Sequence, residues 1–190
     1  MNLENRVDVS DLAVIHPTVK IWPGTSVREN AVIGEGTVIG RGVYIGPGVK
    51  IGSNCKIQNE AQIYEPAIIN NGVFIGPGVI ITNDEVPRAI NVDYSIKGPE
   101  DWQKSQVTIG QGASLGAGSI YVGQLTIGAW SMVGAGSVIV RDVKEFELVA
   151  GNPGRHIGWI GKAGFRLIFK SDKLWICPKT DALYTINESN

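Results

Sequence analysis

Histidine is nearly missing. Only His16 and His156 occur in 190 residues. Two are too few for a three-histidine zinc site. Cysteine is as scarce, with Cys55 and Cys177 alone, so a disulfide framework is excluded. No apolar run approaches the roughly 20 residues that a membrane-crossing helix needs. The opening MNLENRVDVS lacks the apolar core of an export signal. These absences point to a cytoplasmic protein without structural disulfides. Charge bias is missing too: 17 Lys and Arg face 18 Asp and Glu, leaving −1. No field draws nucleic acid or an anionic membrane, so neither is expected as a partner.

Glycine, in contrast, is abundant at 25 residues. Its placement is periodic, which excludes low complexity. From Ile15 and Ile21 through Val27, then at every sixth position from Ile33 to Ile81, the residue is a branched aliphatic. Val9 extends the series backward. Four residues after each stands a second small or aliphatic residue, from Val19, Thr25 and Ala31 on to Val79. Glycine often follows the leading aliphatic directly, at Gly34, Gly40, Gly46, Gly52 and Gly76.

A six-residue period rotates off the face of a helix, so helix is excluded. One short strand plus a turn fits six residues. Three such units close a triangular coil of about 18 residues, and coils stack at the strand spacing of roughly 4.8 Å. The leading aliphatics then point into a prism, each contributing roughly 1.5–3 kcal/mol on burial. The glycines are expected where the turn needs unusual backbone angles.

The period resumes at Ile109 and runs through Leu115, Tyr121, Ile127, Val133 and Ile139. The offset from Ile81 is not a multiple of six. Residues of about 82–106 are therefore read as an inserted loop. Long loops in compact solenoids are uncommon and usually functional. The chain divides into a solenoid domain over 1–144 and a C-terminal extension over 145–190. In the extension, KLWICPKTDALYTI reads as a β-hairpin about a Lys-Thr-Asp turn.

The pattern is broken beside the loop. Gln58, Tyr64 and Asn70 replace glycine, and QNEAQIYE puts polar side chains outside the prism. Glu65 stacks beneath Asn83 if coils hold 18 residues, so Asn83 and Asp84 leave the solenoid above Tyr64 and Glu65. At the far end Ala117, Ala135 and Pro153 are spaced by the same interval. Small residues on one edge leave a groove with accessible backbone amides, where a long thin ligand can lie.

The repeat, with GASLGAGS (112–119), IGAWSMVGAGSVIVRDV (127–143) and VAGNPGRHIGW (149–159), resembles the hexapeptide-repeat acyltransferases. More narrowly, KIQNEAQIYEPAII, ITNDEVPRA and WICPKTDALY resemble the N-acetyltransferases of nucleotide-linked amino sugars. The nearest type acts on the 3-amino group of a UDP-linked diamino-glucuronate in bacterial surface-polysaccharide pathways. The resemblance implies an all-β, left-handed parallel β-helix that assembles as a homotrimer with sites between subunits. It implies acetyl-CoA as cosubstrate, a UDP- or dTDP-linked amino sugar as acceptor, and no metal.

By position, the resemblance puts Asn83 and Asp84 at the reacting amine. Gln58, Glu60, Tyr64, Glu85 and Arg88 face the sugar. Ala117, Gly134, Ala135 and Pro153 lie along the pantetheine, and Arg155 or Lys162 meets the phosphates of coenzyme A. Lys179-Thr180-Asp181 follow Cys177-Pro178 where such tails often carry a second cysteine, so no cysteine zinc site can form.

The chemistry follows from what is absent. Cys55 holds a core position and Cys177 has no neighbouring histidine, so direct attack is simpler than an acyl-enzyme. A hydroxyl acceptor needs a base, and O-acetyltransferases on this scaffold use histidine. An amine resembling an α-amino group, with a pKa of about 7.7–8.0, is already partly neutral near neutrality. A site with an amide and carboxylates but no histidine therefore favours N-acetylation. Carbonic anhydrases of the γ class share the scaffold but need three histidines. A structural or ice-binding solenoid predicts flat outer arrays and no long loop. Transfer to another small acceptor is the closer rival.

Overall fold

A computed structural model describes residues 7–186. The chain winds as a parallel β-solenoid of strands two to four residues long on three faces. Face A runs from Asp8–Val9 to Val138–Ile139, face B from Val14–Ile15 to Leu125–Ile127, and face C from Lys20–Ile21 to Glu147–Ala150. Each strand pairs with the one a full coil later, as in Ile33 with Ile51 and Ile45 with Ile63. Among the described residues there is no α-helix, and no helix is long and apolar enough to cross a membrane.

The aliphatic ladder fills the prism. From Ile33 to Ile139 its members are at most 3% exposed. Tyr121 replaces an aliphatic there and is fully buried, its hydroxyl receiving a hydrogen bond from Ser119 Oγ at 3.1 Å. Burial pushes that phenol far above its usual range. The second position of each repeat is also inside. Where it is Thr or Ser, the hydroxyl donates to a corner carbonyl, as Thr25 does to Gly40 at 2.8 Å and Ser137 to Gly134 at 2.7 Å. A buried hydroxyl is tolerated because it is paired.

The glycines after the ladder residue are not there for unusual angles. Gly34, Gly40, Gly46, Gly52 and Gly76 do not have positive φ. They are needed because coils touch: a Cβ on Gly34 would sit 2.7 Å from the backbone carbon of Gly52. The left-handed turn residue is two places further on, as at Gly48 (φ 67) and Gly78 (φ 65). Asn30 and Asn54 fill the same place, as does Glu60 at φ 62. Two separate constraints, close approach and turn angle, thus explain two glycine series.

Between face A and face B the chain leaves the prism at Ile81 and re-enters at Val107. The ladder closes across the excursion, with Ile69 on Ile109 and Ile75 on Leu115. The last coil is shorter. Val133 pairs with Val149, and Arg155–Trp159 then returns antiparallel along Glu147–Ala150. A three-stranded antiparallel sheet follows: Ile168–Ser171, Leu174–Ile176 and Leu183–Thr185. Trp159, Leu167, Cys177 and Ile186 form its buried cluster.

Candidate active site

Three edges separate the three faces, and a stretch six residues along lies on the next edge. This splits QNEAQIYE. Gln58 and Glu60 follow the face C strand Lys56–Ile57 and stand on the C–A edge. Tyr64 and Glu65 follow Gln62–Ile63 and stand on the A–B edge, from which the loop departs. Within one chain, Gln58 and Glu60 are therefore not brought to Asn83.

On the A–B edge the residues do converge. Tyr64 N donates to Ile81 O at 3.2 Å, which seats the start of the loop over Tyr64. Tyr64 and Tyr44 pack with ring centroids 5.2 Å apart. The loop is closed at its base: Ser105 N donates to Asn83 O at 2.9 Å, and Lys104 Nζ meets Glu65 Oε1 at 2.9 Å. Lys104 and Ser105 return over the same edge because the ladder resumes in register, a signal present in the offset between the two repeat blocks.

Asn83 is half-buried, and its side-chain amide has no hydrogen-bond partner among the described residues. Asp84 Oδ1 accepts from Val86 N at 2.8 Å, and the carboxylate lines two hollows under the loop. Glu85 is engaged otherwise. Its Oε1 accepts from Gln124 N at 2.7 Å and Ser105 Oγ at 2.9 Å, so it latches the loop to the next coil. Arg88 lines the outer hollow, of about 490 Å³, with Lys97 and Trp102. Lys97 and Lys104 escaped sequence reading because lone lysines in a loop carry no pattern.

The C–A edge carries the small residues. Ala117 lies under Ala135, with Gly136 N donating to Ala117 O at 2.8 Å. Lower on this edge, the Arg41 N–H is covered by Asn59 Oδ1 from the coil above, at 2.9 Å. Ala135 occupies the corresponding place over Ala117 and has no acceptor to offer. The N–H groups of Ala117 and Ala135 consequently make no hydrogen bond among the described residues, and both residues are exposed. The short last coil puts Gly151, not Pro153, in line above Ala135. Pro153 lies in the turn that follows.

The two expected phosphate-binding residues separate. Arg155 pairs with Ala150 beside the C–A edge. Lys162 lies on the B–C edge, its Nζ 5.3 Å from the ring centre of Trp130. Neither histidine reaches the A–B cluster. His16 bonds Thr18 Oγ1 at 2.9 Å on an early B–C turn. His156 Nδ1 faces Glu147 Oε1 at 3.2 Å at the closing end of the prism. Arg141 Nη2 holds the same carboxylate at 2.7 Å. Burial pushes the Glu147 carboxyl up, but hydrogen bonds from Arg141 and Lys144 N, with the Arg141 charge and His156, hold it below its usual range. Cys55 is sealed in the prism, where burial raises its thiol.

Two sequence-family models match. One, of the bacterial transferase hexapeptide with six repeats, matches residues 12–47 and 48–83. The other, the hexapeptide repeat of succinyl-transferase, matches 30–65 and 106–141. Together they span more than half of the chain. No curated protein matches it. Among solved structures, a Bacillus cereus protein assigned as an acetyltransferase superposes with a TM-score of 0.56 at 18% identity, covering 83% of this chain and 80% of that one. At that identity it establishes a shared fold. The acetyltransferase domain of PglB from Neisseria gonorrhoeae gives 0.44 at 22% identity, over 81% of this chain and 58% of that one. A mutant of the N-acyltransferase AntD of Bacillus cereus, solved with dTDP-4-amino-4,6-dideoxyglucose and coenzyme A, gives 0.49 at 19% identity, over 80% of this chain and 79% of that one.

Proposed function

The chain belongs to the bacterial hexapeptide-repeat transferases, and from that premise we propose that it transfers the acetyl group of acetyl-CoA to the amine of a nucleotide-linked amino sugar. The observation that carries this reading is the A–B edge. There the Asp84 carboxylate lines two hollows under a long loop, next in the chain to an Asn83 amide with no hydrogen-bond partner among the described residues, and no histidine stands in the cluster.

The steps follow from those groups. Asn83 orients the acceptor amine. Its neutral nitrogen attacks the thioester carbonyl, a C–N bond forms, and the C–S bond breaks. The ammonium proton passes to Asp84 or to the departing thiolate. Backbone N–H groups hold the oxyanion, each such donor contributing roughly 3–4 kcal/mol. Holding both substrates in place supplies several kcal/mol more.

The unpaired amides of Ala117 and Ala135 suit the amide-bearing arm of coenzyme A. They stand on the C–A edge, whereas the acceptor cluster stands on the A–B edge. A homotrimer that sets one protomer's A–B edge against its partner's C–A edge joins the halves. Gln58 and Glu60 then reach the acceptor from the partner's side. The loop tip supports a protomer contact, because Val92, Tyr94 and Ile96 are 101%, 83% and 85% exposed. The acceptor is read as a 3-amino sugar of bacterial surface-polysaccharide synthesis, made in the cytoplasm where acetyl-CoA is supplied.

The test is release of free coenzyme A with a panel of UDP- and dTDP-linked 3- and 4-amino sugars. Turnover with one of them is expected, and Asn83→Ala should lower kcat about 10²–10³-fold, the scale of losing one aimed polar group. Turnover with a hydroxyl acceptor alone would overturn the reading. Sedimentation equilibrium should give three chains per particle.

A further inference from the structure

The loop carries cations that the reaction scheme above does not use. Two hollows under it share a wall made by Asp84, Lys97, Trp102 and Lys104. The outer one, of about 490 Å³, is within the range of small-ligand sites. Its charged lining is Arg88, Lys97 and Lys104 against Asp84. Lys104 is matched by Glu65 at 2.9 Å. Arg88 and Lys97 have no ion-pair partner among the described residues. Asp101, the acid within electrostatic reach of Lys97, has its Oδ2 turned to Gly98 N at 2.7 Å. The outer hollow therefore has an excess of positive charge, and Lys97 is half-buried in it.

The aromatic wall is fixed by local structure. Pro99–Asp101 forms a single 3-10 turn, and Trp102 leaves it in extended conformation with φ −151. Lys104 Nζ stands 5.8 Å from the centre of the Trp102 ring. The ring is half-buried, so part of it faces the hollow. A planar aromatic beside an Arg and a Lys suits a planar base joined to a diphosphate. Arg engages phosphate in bidentate fashion, Lys acts as a point charge, and an indole stacks on a base.

We propose that the inserted loop is a nucleoside-diphosphate clamp, in which Arg88 and Lys97 meet the diphosphate of the acceptor and Trp102 stacks on its base. This rests on the acetyl-transfer reading for the identity of the acceptor. Lys97 and Trp102 act as positioning residues: they hold the handle, not the reacting amine.

Coenzyme A also contains a nucleoside diphosphate, so the experiment separates the two sources. UDP, dTDP and free coenzyme A are titrated separately while tryptophan emission is followed. With 5 tryptophans in the chain, Trp102→Phe assigns the signal. UDP or dTDP is expected to quench emission, Trp102→Phe to remove the quench, and Lys97→Met to weaken binding about tenfold. Lys97→Arg should restore binding, and unchanged far-UV circular dichroism should show that each variant folds. Quenching of Trp102 by coenzyme A but not by UDP or dTDP overturns the assignment, as does equal nucleotide binding by wild type and Lys97→Met. In the transfer assay, Lys97→Met should raise KM for the sugar nucleotide and leave kcat and the KM for acetyl-CoA unchanged. Turnover with that KM unmoved refutes the clamp and leaves the acetyl-transfer reading standing. Lys97-dependent nucleotide binding with no transfer does the reverse.

Discussion

The prism and the inserted loop obey different physics within one chain. In the prism each interior strand has a fixed neighbour a coil above and a coil below. Ladder side chains are buried, corner hydroxyls are paired, and glycines are compressed against backbone. In the loop the backbone is tied at scattered points, among them the Ser105–Asn83 bond at its base, the Glu85 latch, the Lys104–Glu65 pair, the Ile90–Ile96 bridge and the capped turn before Trp102. Rigidity is concentrated in the repeat, and chemical variety stands where the repeat is interrupted. A rigid scaffold with a variable loop is how one fold serves many acceptors.

Glycine substitution is the sharpest way to break this contrast. On Gly116 a Cβ would lie 2.5 Å from Ala135 N, and its next nearest atoms, Gly134 C and Val133 O, are backbone too. Gly116→Ala should cost about 3 kcal/mol or more, because neither coil can move aside. Gly98, in the loop, would place its Cβ 3.7 Å from a single carboxylate oxygen. Gly98→Ala should stay within about 0.5 kcal/mol. Urea denaturation of both variants decides, and equal midpoints would remove the distinction between the two regions.

Acid should loosen the closing end of the prism. Glu147 has a folded pKa below its ordinary value of 4.5. Its contribution is therefore fully present above that value and is lost as pH falls through the lower folded one. Glu147→Gln should flatten the acid limb of the stability curve below about pH 4.5. An unaltered limb would mean that the Arg141 pair does not secure the closing coil.

Smaller effects belong to the loop. Glu85→Ala leaves Gln124 N without its acceptor and should cost roughly 1–3 kcal/mol locally. Hydrogen exchange at Gln124 and Ser105 should accelerate while global unfolding stays nearly unchanged. Slow exchange in the variant would show that the loop is anchored elsewhere. Smallest is Lys104→Met. Its partner pair is half open to water, with the lysine 47% exposed, so the loss should be about 0.2–1 kcal/mol and should shrink further in salt.

Much of the site was legible in the residues. The break after Ile81 marked the loop, and the interval of one coil placed Glu65 under Asn83. The same interval, applied strictly, separates Gln58 from Tyr64, since six residues advance the chain by one edge rather than one coil. Reading QNEAQIYE as one polar patch overlooked that rotation. Glu85, expected to face the sugar, lines the inner hollow and also has its Oε1 engaged as a latch, because its partner Gln124 lies in the coil after the loop. Lys162 was grouped with Arg155, yet the antiparallel return of Arg155–Trp159 carries the chain across face C to the opposite edge.

The residues alone determined the six-residue unit, the buried ladder, the stacking register and the point of interruption. They could do so because each repeat meets its own copy one coil away, which turns long-range contacts into a local rule. Tertiary structure decided which edge each polar group occupies, which carboxylate lines the hollows and which is a latch, and that the Ala117 and Ala135 amides make no hydrogen bond among the described residues. Those outcomes depend on how an aperiodic loop and a shortened last coil lie against the prism, and no repeat encodes them.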